Sequence, residues 1–164
     1  PSLPPLPPAS RRSCSITCRE YGMKAKPRIL TIAGLAPFAP ETAAVQAARL
    51  MLQELARHAA TGESFAFETT LAGRGYLRLI EQWQATGYRV KLIFLRLASA
   101  EEAIARVAQL VKQGGHDIPE KVIRRRLTAG LVNFHQLYAP KVDAWMLYDN
   151  AGTQPMRLDR SETQ

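Results

Sequence analysis

The sequence predicts an α/β fold in which a parallel sheet lies between two layers of helices. Apolar runs of strand length alternate with amphipathic helical segments through residues 28–150. The run at residues 92–95 (LIFL) is continuously apolar, which is typical of a parallel strand covered on both faces. With 164 residues and 46% hydrophobic content, the chain is long enough for one domain with a core of its own.

The individual elements follow from the same patterns. Residues 28–34 (RILTIAG) predict a first buried strand. A helix over residues 41–60 should follow, with Val45, Ala48, Leu52 and Leu55 at helical spacing on its buried side. Further strands are predicted at about 64–68, 88–97 and 142–148, and further helices at about 75–86, 100–112 and 120–138. Capping signals open the last two helices at residues 99–102 (SAEE) and 117–120 (DIPE).

Both ends of the chain differ from its middle. Residues 1–27 are rich in proline and arginine and have no apolar periodicity, so we expect a disordered or extraneous leader. A proline-rich ligand for a partner protein is the alternative. Residues 28–152 then form the domain, and residues 153–164 form a polar tail.

Charge and cysteine content narrow the function classes. The formal charge is +8, of which +5 lies in residues 1–28. The remaining chain is weakly basic, which favours a phosphate ligand and makes a nucleic-acid-binding face the less favoured reading. No apolar run is long enough to span a membrane. Cys14 and Cys18 have no further metal-ligand partners at suitable spacing, so we expect no metal site and a reduced, cytoplasmic compartment.

The stretch FAFETTLAGR (residues 65–74) is the first candidate site. A strand here ends in Glu68, Thr69 and Thr70, and Arg74 follows in a strand-to-helix turn. Ligands of open α/β sheets bind beyond the carboxyl ends of the strands. The carboxylate and hydroxyls can orient a sugar, and the arginine can hold a phosphate. The alternative is that the glutamate and threonines only cap the next helix.

A second candidate site is basic. Arg106 lies on the third helix, His116 lies in a Gly-Gly turn, and Arg124, Arg125 and Arg126 follow on the fourth helix. Such a helical excursion can close over phosphates. The alternative is a solvated helix face, because three consecutive arginines span roughly 200° of a helix and cannot share one side.

One motif is absent. No glycine in the chain is followed by lysine, so the sequence lacks the G-x-x-x-x-G-K-[ST] loop that cradles nucleotide phosphates.

The ordered run of FAFETTLAGRGYLRLI, GYRVKLIFLRL, ARV, GGHDIPEKVIRRR, NFHQLY and YDN resembles the zeta toxin family over about residues 28–150. These proteins are P-loop kinases that phosphorylate a UDP-activated amino sugar. The resemblance implies a P-loop-kinase-like fold, ATP and Mg²⁺ as cofactors, a nucleotide-sugar substrate of the UDP-N-acetylglucosamine type, and an antitoxin as a protein partner.

The resemblance also implies roles for individual residues. Glu68, Thr70 and Arg74 match the substrate-contacting acid, hydroxyl and arginine, with Thr69 beside them. Arg106 and one of Arg125 or Arg126 match the catalytic arginines that clamp the transferred phosphate.

The chain departs from the family pattern directly after residue 34. One central βα unit of roughly 30 residues is missing, and with it the phosphate loop and the catalytic aspartate. We therefore expect a kinase domain by descent that does not transfer phosphate. The alternatives are a non-catalytic remnant that binds a sugar nucleotide or an antitoxin-like partner and, less favoured, a basic nucleic-acid binder.

Overall fold

The computed structural model describes residues 13–19, 40–115, 117–152 and 154–162. The strands are β1 (Ser13–Arg19), β2 (Phe65–Thr69), β3 (Arg89–Arg96), β4 (Ala144–Asp149) and β5 (Met156–Glu162). The helices are α1 (Pro40–Thr61), α2 (Tyr76–Ala85), α3 (Ala100–Lys112) and α4 (Glu120–Asn133). Helix α4 continues into one π-helical turn, Phe134–Tyr138, which we call the π turn.

All five strands form one sheet in the order β2-β1-β3-β4-β5. Strands β1 to β4 pair in parallel, and β5 is antiparallel to β4. The predicted α/β class with a parallel sheet is confirmed. The sheet also agrees with a fold from which one strand and its helix have been lost.

The strand between β2 and β3 is β1, which lies inside the segment expected to be a leader. That expectation is wrong for Ser13–Arg19, where Cys14 and Ile16 are fully buried at the two-residue period of a strand. Cys14 pairs with Phe65 on one side and Val90 on the other. The predicted strand at residues 28–34, and the rest of the expected leader, lie outside the described residues.

The expected polar tail contains strand β5. Its described side chains are exposed, so its ladder with β4, rather than apolar burial, holds it in place. The pairing has an irregularity beside Leu147 and Tyr148. The polar side chains of this tail gave no sign of a strand, because polarity describes burial and says little about hydrogen bonding at a sheet edge.

The main core joins one face of the sheet to α1, α2 and the π turn. Phe94 of β3 contacts Phe134 with ring centres 4.8 Å apart, and Phe134 contacts Trp145 at 5.4 Å. A smaller cluster joins α3 to α4 and contains Leu97, Ala103, Val107 and Ile123. The two clusters are separate, and α4 with its π turn takes part in both.

Two sequence predictions about the helices need correction. Leu55 of α1 is buried, but Ala48 is exposed and Leu52 is 45% exposed, because the side that packs on the core follows Met51, Leu55 and Ala59 instead. The Ser99 cap of α3 is confirmed, since its Oγ accepts from the Glu102 backbone N–H at 3.1 Å. The predicted cap at residue 117 is absent, and α4 begins after Pro119 without a side-chain cap.

No helix in the described ranges is both long and apolar enough to cross a bilayer.

Candidate functional site

The carboxyl ends of the four parallel strands form one edge of the sheet. Thr69, Arg96 and Asp149 are the last residues of β2, β3 and β4. The ends of β2 and β4 are three strand spacings apart, which is about 14 Å. The polar groups at these two ends are therefore described separately.

The β2 end opens into a cleft of about 540 Å³. It lies between the β2–α2 loop and α4, and its lining residues are Thr70, Ala72, Gly73, Arg125, Arg126 and Ala129. None of these residues is acidic. The cleft therefore presents two guanidinium groups and a hydroxyl, which are donors suited to an anion.

The three consecutive arginines divide as helix geometry requires. Arg124 turns away from the cleft and donates to Glu101 on α3 at 2.8 Å. That hydrogen bond is the main cause of the lowered pKa of Glu101. Arg125 and Arg126 line the cleft, and no ion pair of either one appears within the described part of the chain.

The loop that forms the other wall is fixed by its own hydrogen bonds. Thr69 Oγ1 accepts from the Leu71 backbone N–H at 3.3 Å. Leu71 has φ of 56°, the left-handed region that non-glycine residues seldom adopt. Its carbonyl accepts from Asn133 Nδ2 at 2.9 Å, and the Gly73 carbonyl accepts from the Tyr138 hydroxyl at 2.7 Å.

The other residues predicted for the first site lie near the cleft without lining it. Glu68 is half-buried within β2, and Arg74 is exposed on the loop after Gly73. The Thr69 hydroxyl accepts a hydrogen bond from the Leu71 backbone N–H within the loop. Substrate-contacting roles for Glu68, Thr69 and Arg74 remain predictions.

The β4 end also carries two arginines, and each of them is paired with a carboxylate. Arg106 donates to Glu102 Oε1 at 2.7 Å and to the backbone carbonyl of Asn150, a residue only 4% exposed. Arg96 contacts Asp149 at 3.3 Å. The Ala151 backbone N–H, and secondarily Arg96, hold the pKa of Asp149 below its usual value.

The structure thus brings Thr70, Arg125 and Arg126 together and places Arg106 at the other end of the edge. The clamping role of Arg106 stays a prediction, and His116 lies outside the described residues. Sequence reasoning assigned no role to Asn133 and Tyr138. Their only signal was a pair of polar side chains within the motif NFHQLY, on the apolar side of a helix.

The ATP–Mg²⁺ that the resemblance implies does not fit the residues present. The cleft lining offers one hydroxyl oxygen, two guanidinium groups and no carboxylate, whereas protein sites for Mg²⁺ usually supply one or two carboxylates. Across the described residues, no group of three His, Cys, Asp or Glu side chains could hold a metal ion. The chain also contains no Gly-Lys pair for a phosphate loop. We therefore derive no phosphoryl-transfer step.

Fold and cleft together define an α/β domain with an arginine-lined cleft at the carboxyl edge of a parallel sheet. One similar solved structure comes from the PezAT chromosomal toxin-antitoxin system of the human pathogen Streptococcus pneumoniae. The TM-score is 0.60 at 10% sequence identity, over 92% of this chain and 73% of that one. No protein-family model and no curated protein matches the chain. The resemblance to zeta toxins is thus confirmed at the level of the fold.

Proposed function

We propose that this chain is a zeta-toxin-like domain that binds the phosphates of a nucleotide sugar, of the UDP-N-acetylglucosamine type, without transferring phosphate from ATP. The observation that carries the proposal is the cleft itself. Arg125 and Arg126 stand beside Thr70 with no acidic residue in the lining.

A diphosphate suits this donor set. Guanidinium groups bind phosphate oxygens in two-pronged, charge-assisted contacts, and the threonine hydroxyl can donate a further hydrogen bond. The cleft volume of about 540 Å³ is within the range of small-molecule sites. A sugar attached to the diphosphate would extend along the β2–α2 loop toward Glu68, where a carboxylate can accept from its hydroxyls.

The proposed lack of phosphate transfer follows from what the chain lacks. Phosphoryl transfer depends on positioning the nucleotide phosphates and on neutralising the developing charge. The chain has no G-x-x-x-x-G-K-[ST] phosphate loop and therefore lacks the lysine that such a loop supplies. Two arginines can hold an anion, but they do not by themselves position a donor and an acceptor in line.

The test is a thermal-shift titration of the full chain with UDP-N-acetylglucosamine, inorganic pyrophosphate and ATP–Mg²⁺. A ligand at 100 times its Kd should stabilise the fold by about 2.7 kcal/mol. We expect a stabilisation of this size for the UDP-sugar and a smaller one for pyrophosphate. Adding Mg²⁺ to ATP should not increase the melting temperature further. The Arg125→Ala/Arg126→Ala double variant should lose the UDP-sugar shift.

Arg124→Ala is the matched control, because Arg124 has the same charge on the same helix but faces Glu101. It should keep the shift. Equal UDP-sugar binding by the double variant would contradict the proposed site. A Mg²⁺-dependent ATP shift accompanied by phosphorylation of the sugar would overturn the proposed inactivity.

Binding of an antitoxin-like protein is a second candidate function. Leu50 and Leu52 on α1 are each 45% exposed, and the similar solved structure comes from a toxin-antitoxin system. The two leucines point about 200° apart around the helix, so a partner would have to contact α1 on both sides. Co-purification with the product of the neighbouring gene should be lost in Leu50→Ser/Leu52→Ser and kept in Leu158→Ser. Equal co-purification by both variants would exclude α1 as the interface.

A further inference from the structure

Two long-range hydrogen bonds join the end of α4 and the π turn to the loop that forms one wall of the cleft. Asn133 Nδ2 donates to the Leu71 carbonyl at 2.9 Å, and the Tyr138 hydroxyl donates to the Gly73 carbonyl at 2.7 Å. Asn133 is only 6% exposed and Tyr138 is fully buried. A buried polar side chain is retained at low cost only where it is paired, as both are here.

The π turn explains how two residues five positions apart reach the same loop. In a regular α-helix, residues 133 and 138 would be rotated by about 140° around the axis. In the π turn the hydrogen bond spans five residues, as from the Ala139 N–H to the Phe134 carbonyl at 2.9 Å. Residues five apart then approach one full turn, so Asn133 and Tyr138 can face the loop together.

The loop is held in a conformation that its own residues disfavour. Leu71 is fully buried at φ of 56°, and a non-glycine residue in this region persists only where its surroundings enforce it. The carbonyl that Asn133 binds belongs to this residue. The strained position and its restraint therefore coincide beside Thr70.

We propose that Asn133 and Tyr138 are positioning residues that set the width of the anion cleft. One continuous helix then forms one wall of the cleft and holds the other wall in place. Its earlier part presents Arg125 and Arg126, and its end holds the opposite wall, Thr70 to Gly73, by two backbone carbonyls. A site is preorganised when a second layer of contacts locks the groups that touch the ligand. The ligand itself rests on the proposed function.

Tyr138→Phe tests the proposal, because it removes one hydroxyl and keeps the buried ring. Tyr148→Phe is the control, since its hydroxyl contacts only the sulfur of Met146, at 3.5 Å, in the described structure. Two quantities are measured in each full-length variant. One is the hydrogen-exchange rate of the backbone amides of residues 71–75, and the other is the Kd for UDP-N-acetylglucosamine.

We expect Tyr138→Phe to speed exchange in the loop and to weaken binding roughly fivefold, the effect of one typical hydrogen bond. Exchange within α2 and β3 should be unchanged, which a general loss of stability would not allow. Asn133→Leu, of similar size but without a donor, should act in the same direction. Tyr148→Phe should change neither quantity.

Unchanged loop exchange in both Tyr138→Phe and Asn133→Leu would overturn the positioning role. Faster exchange with unchanged UDP-sugar affinity would also overturn it, because the loop would then not shape the site. If the wild-type chain does not bind the UDP-sugar, the proposed ligand is wrong. The loop-exchange comparison then decides alone whether these two residues hold the wall.

Discussion

The two ends of the sheet's carboxyl edge carry the same kind of side chain in opposite situations. At the β2 end, Arg125 and Arg126 line an open cleft with no acidic residue among its lining. At the β4 end, Arg106 is bound by Glu102 and the Asn150 carbonyl, and Arg96 contacts Asp149. The contrast separates positive charge that is available to a ligand from positive charge that is part of the scaffold.

The difference between the two ends comes from the hydrogen-bond partners of their arginines. The charge of an arginine paired with a carboxylate is already offset, so it attracts a phosphate less than the charge of an arginine that has no such partner. Four substitutions or modifications would break or sharpen the comparison.

The largest expected effect is on the alkylation rate of Cys14, which lies in β1. The ends of β2 and β4 are about 14 Å apart only if β1 lies between β2 and β3. Burial raises the pKa of the Cys14 thiol to about 12, from an ordinary value of 9.0. At pH 8 the thiolate fraction falls roughly a thousandfold, so alkylation should slow by about that factor relative to the urea-unfolded chain. Peptide mapping of residues 13–19 by mass spectrometry measures it.

The same burial predicts a pH effect with a definite sign. The pKa of Cys14 is higher in the folded chain than in the unfolded chain. The contribution of the neutral, buried thiol to the free energy of unfolding is therefore complete below pH 9 and is lost as pH rises toward 12. Fast labelling of Cys14 in the folded chain would show that β1 does not occupy the centre of the sheet. The two ends would then be only two strand spacings apart, about 10 Å, and the separation on which the comparison depends would be lost.

Arg106→Ala should have the next largest effect, on stability. The side chain is 24% exposed, and its loss leaves Glu102 and the buried Asn150 carbonyl without it. We expect a loss of about 2–3 kcal/mol in urea unfolding. Arg124→Ala, which breaks an exposed ion pair, should cost much less than Arg106→Ala. Equal costs would show that the β4 end is no more structural than the helix surface.

Arg126→Ala should show the opposite profile. Its free energy of unfolding should stay within about 0.5 kcal/mol of the wild type, as for an ordinary surface change. Its affinity for UDP-N-acetylglucosamine should fall by about tenfold, because a charge-assisted contact is lost. Calorimetric titration measures the affinity. A large loss of stability with unchanged affinity would place Arg126 in the scaffold with Arg106.

Asp149→Asn should have the smallest effect. The pKa of Asp149 is lowered from 3.8, first by the Ala151 backbone N–H and then by Arg96. The carboxylate therefore stabilises the fold above pH 3.8, and this contribution is lost as pH falls through the lowered value. The gap between wild-type and variant urea midpoints should close below pH 3.8. A gap that is constant with pH would mean that the effect is not electrostatic.

Much of the fold could be predicted from local pattern. The amphipathic spacing of α2 and α3 and the apolar run of β3 located those elements within a residue or two. Strand β1 was missed because SCSITCR is short, partly polar and surrounded by proline and arginine, while RILTIAG is the more apolar run. Which segment fills a place in a sheet depends on its neighbours there, and local sequence does not show these.

The candidate site could be predicted only in part. Thr70 was named from its position at a strand end, and Arg125 and Arg126 from their charge together with the family resemblance; all three line the cleft. Asn133 and Tyr138 bind carbonyls 62 and 65 residues away, which no local spacing shows. The π turn was read as ordinary helix, because one extra residue per turn leaves the apolar pattern almost unchanged.

The path of α4 has a consequence for how the protein would open. Its first half belongs to the small α3–α4 cluster through Ile123, and its last turn leads into the main core at Phe134. Arg125 and Arg126 lie between Ile123 and Leu127, which both belong to this small cluster, so we assign them to the smaller unit if each cluster unfolds as one unit. We expect the smaller unit to melt first and to carry the arginines off the loop. An anion bridging the cleft would fuse the two units into a single calorimetric transition.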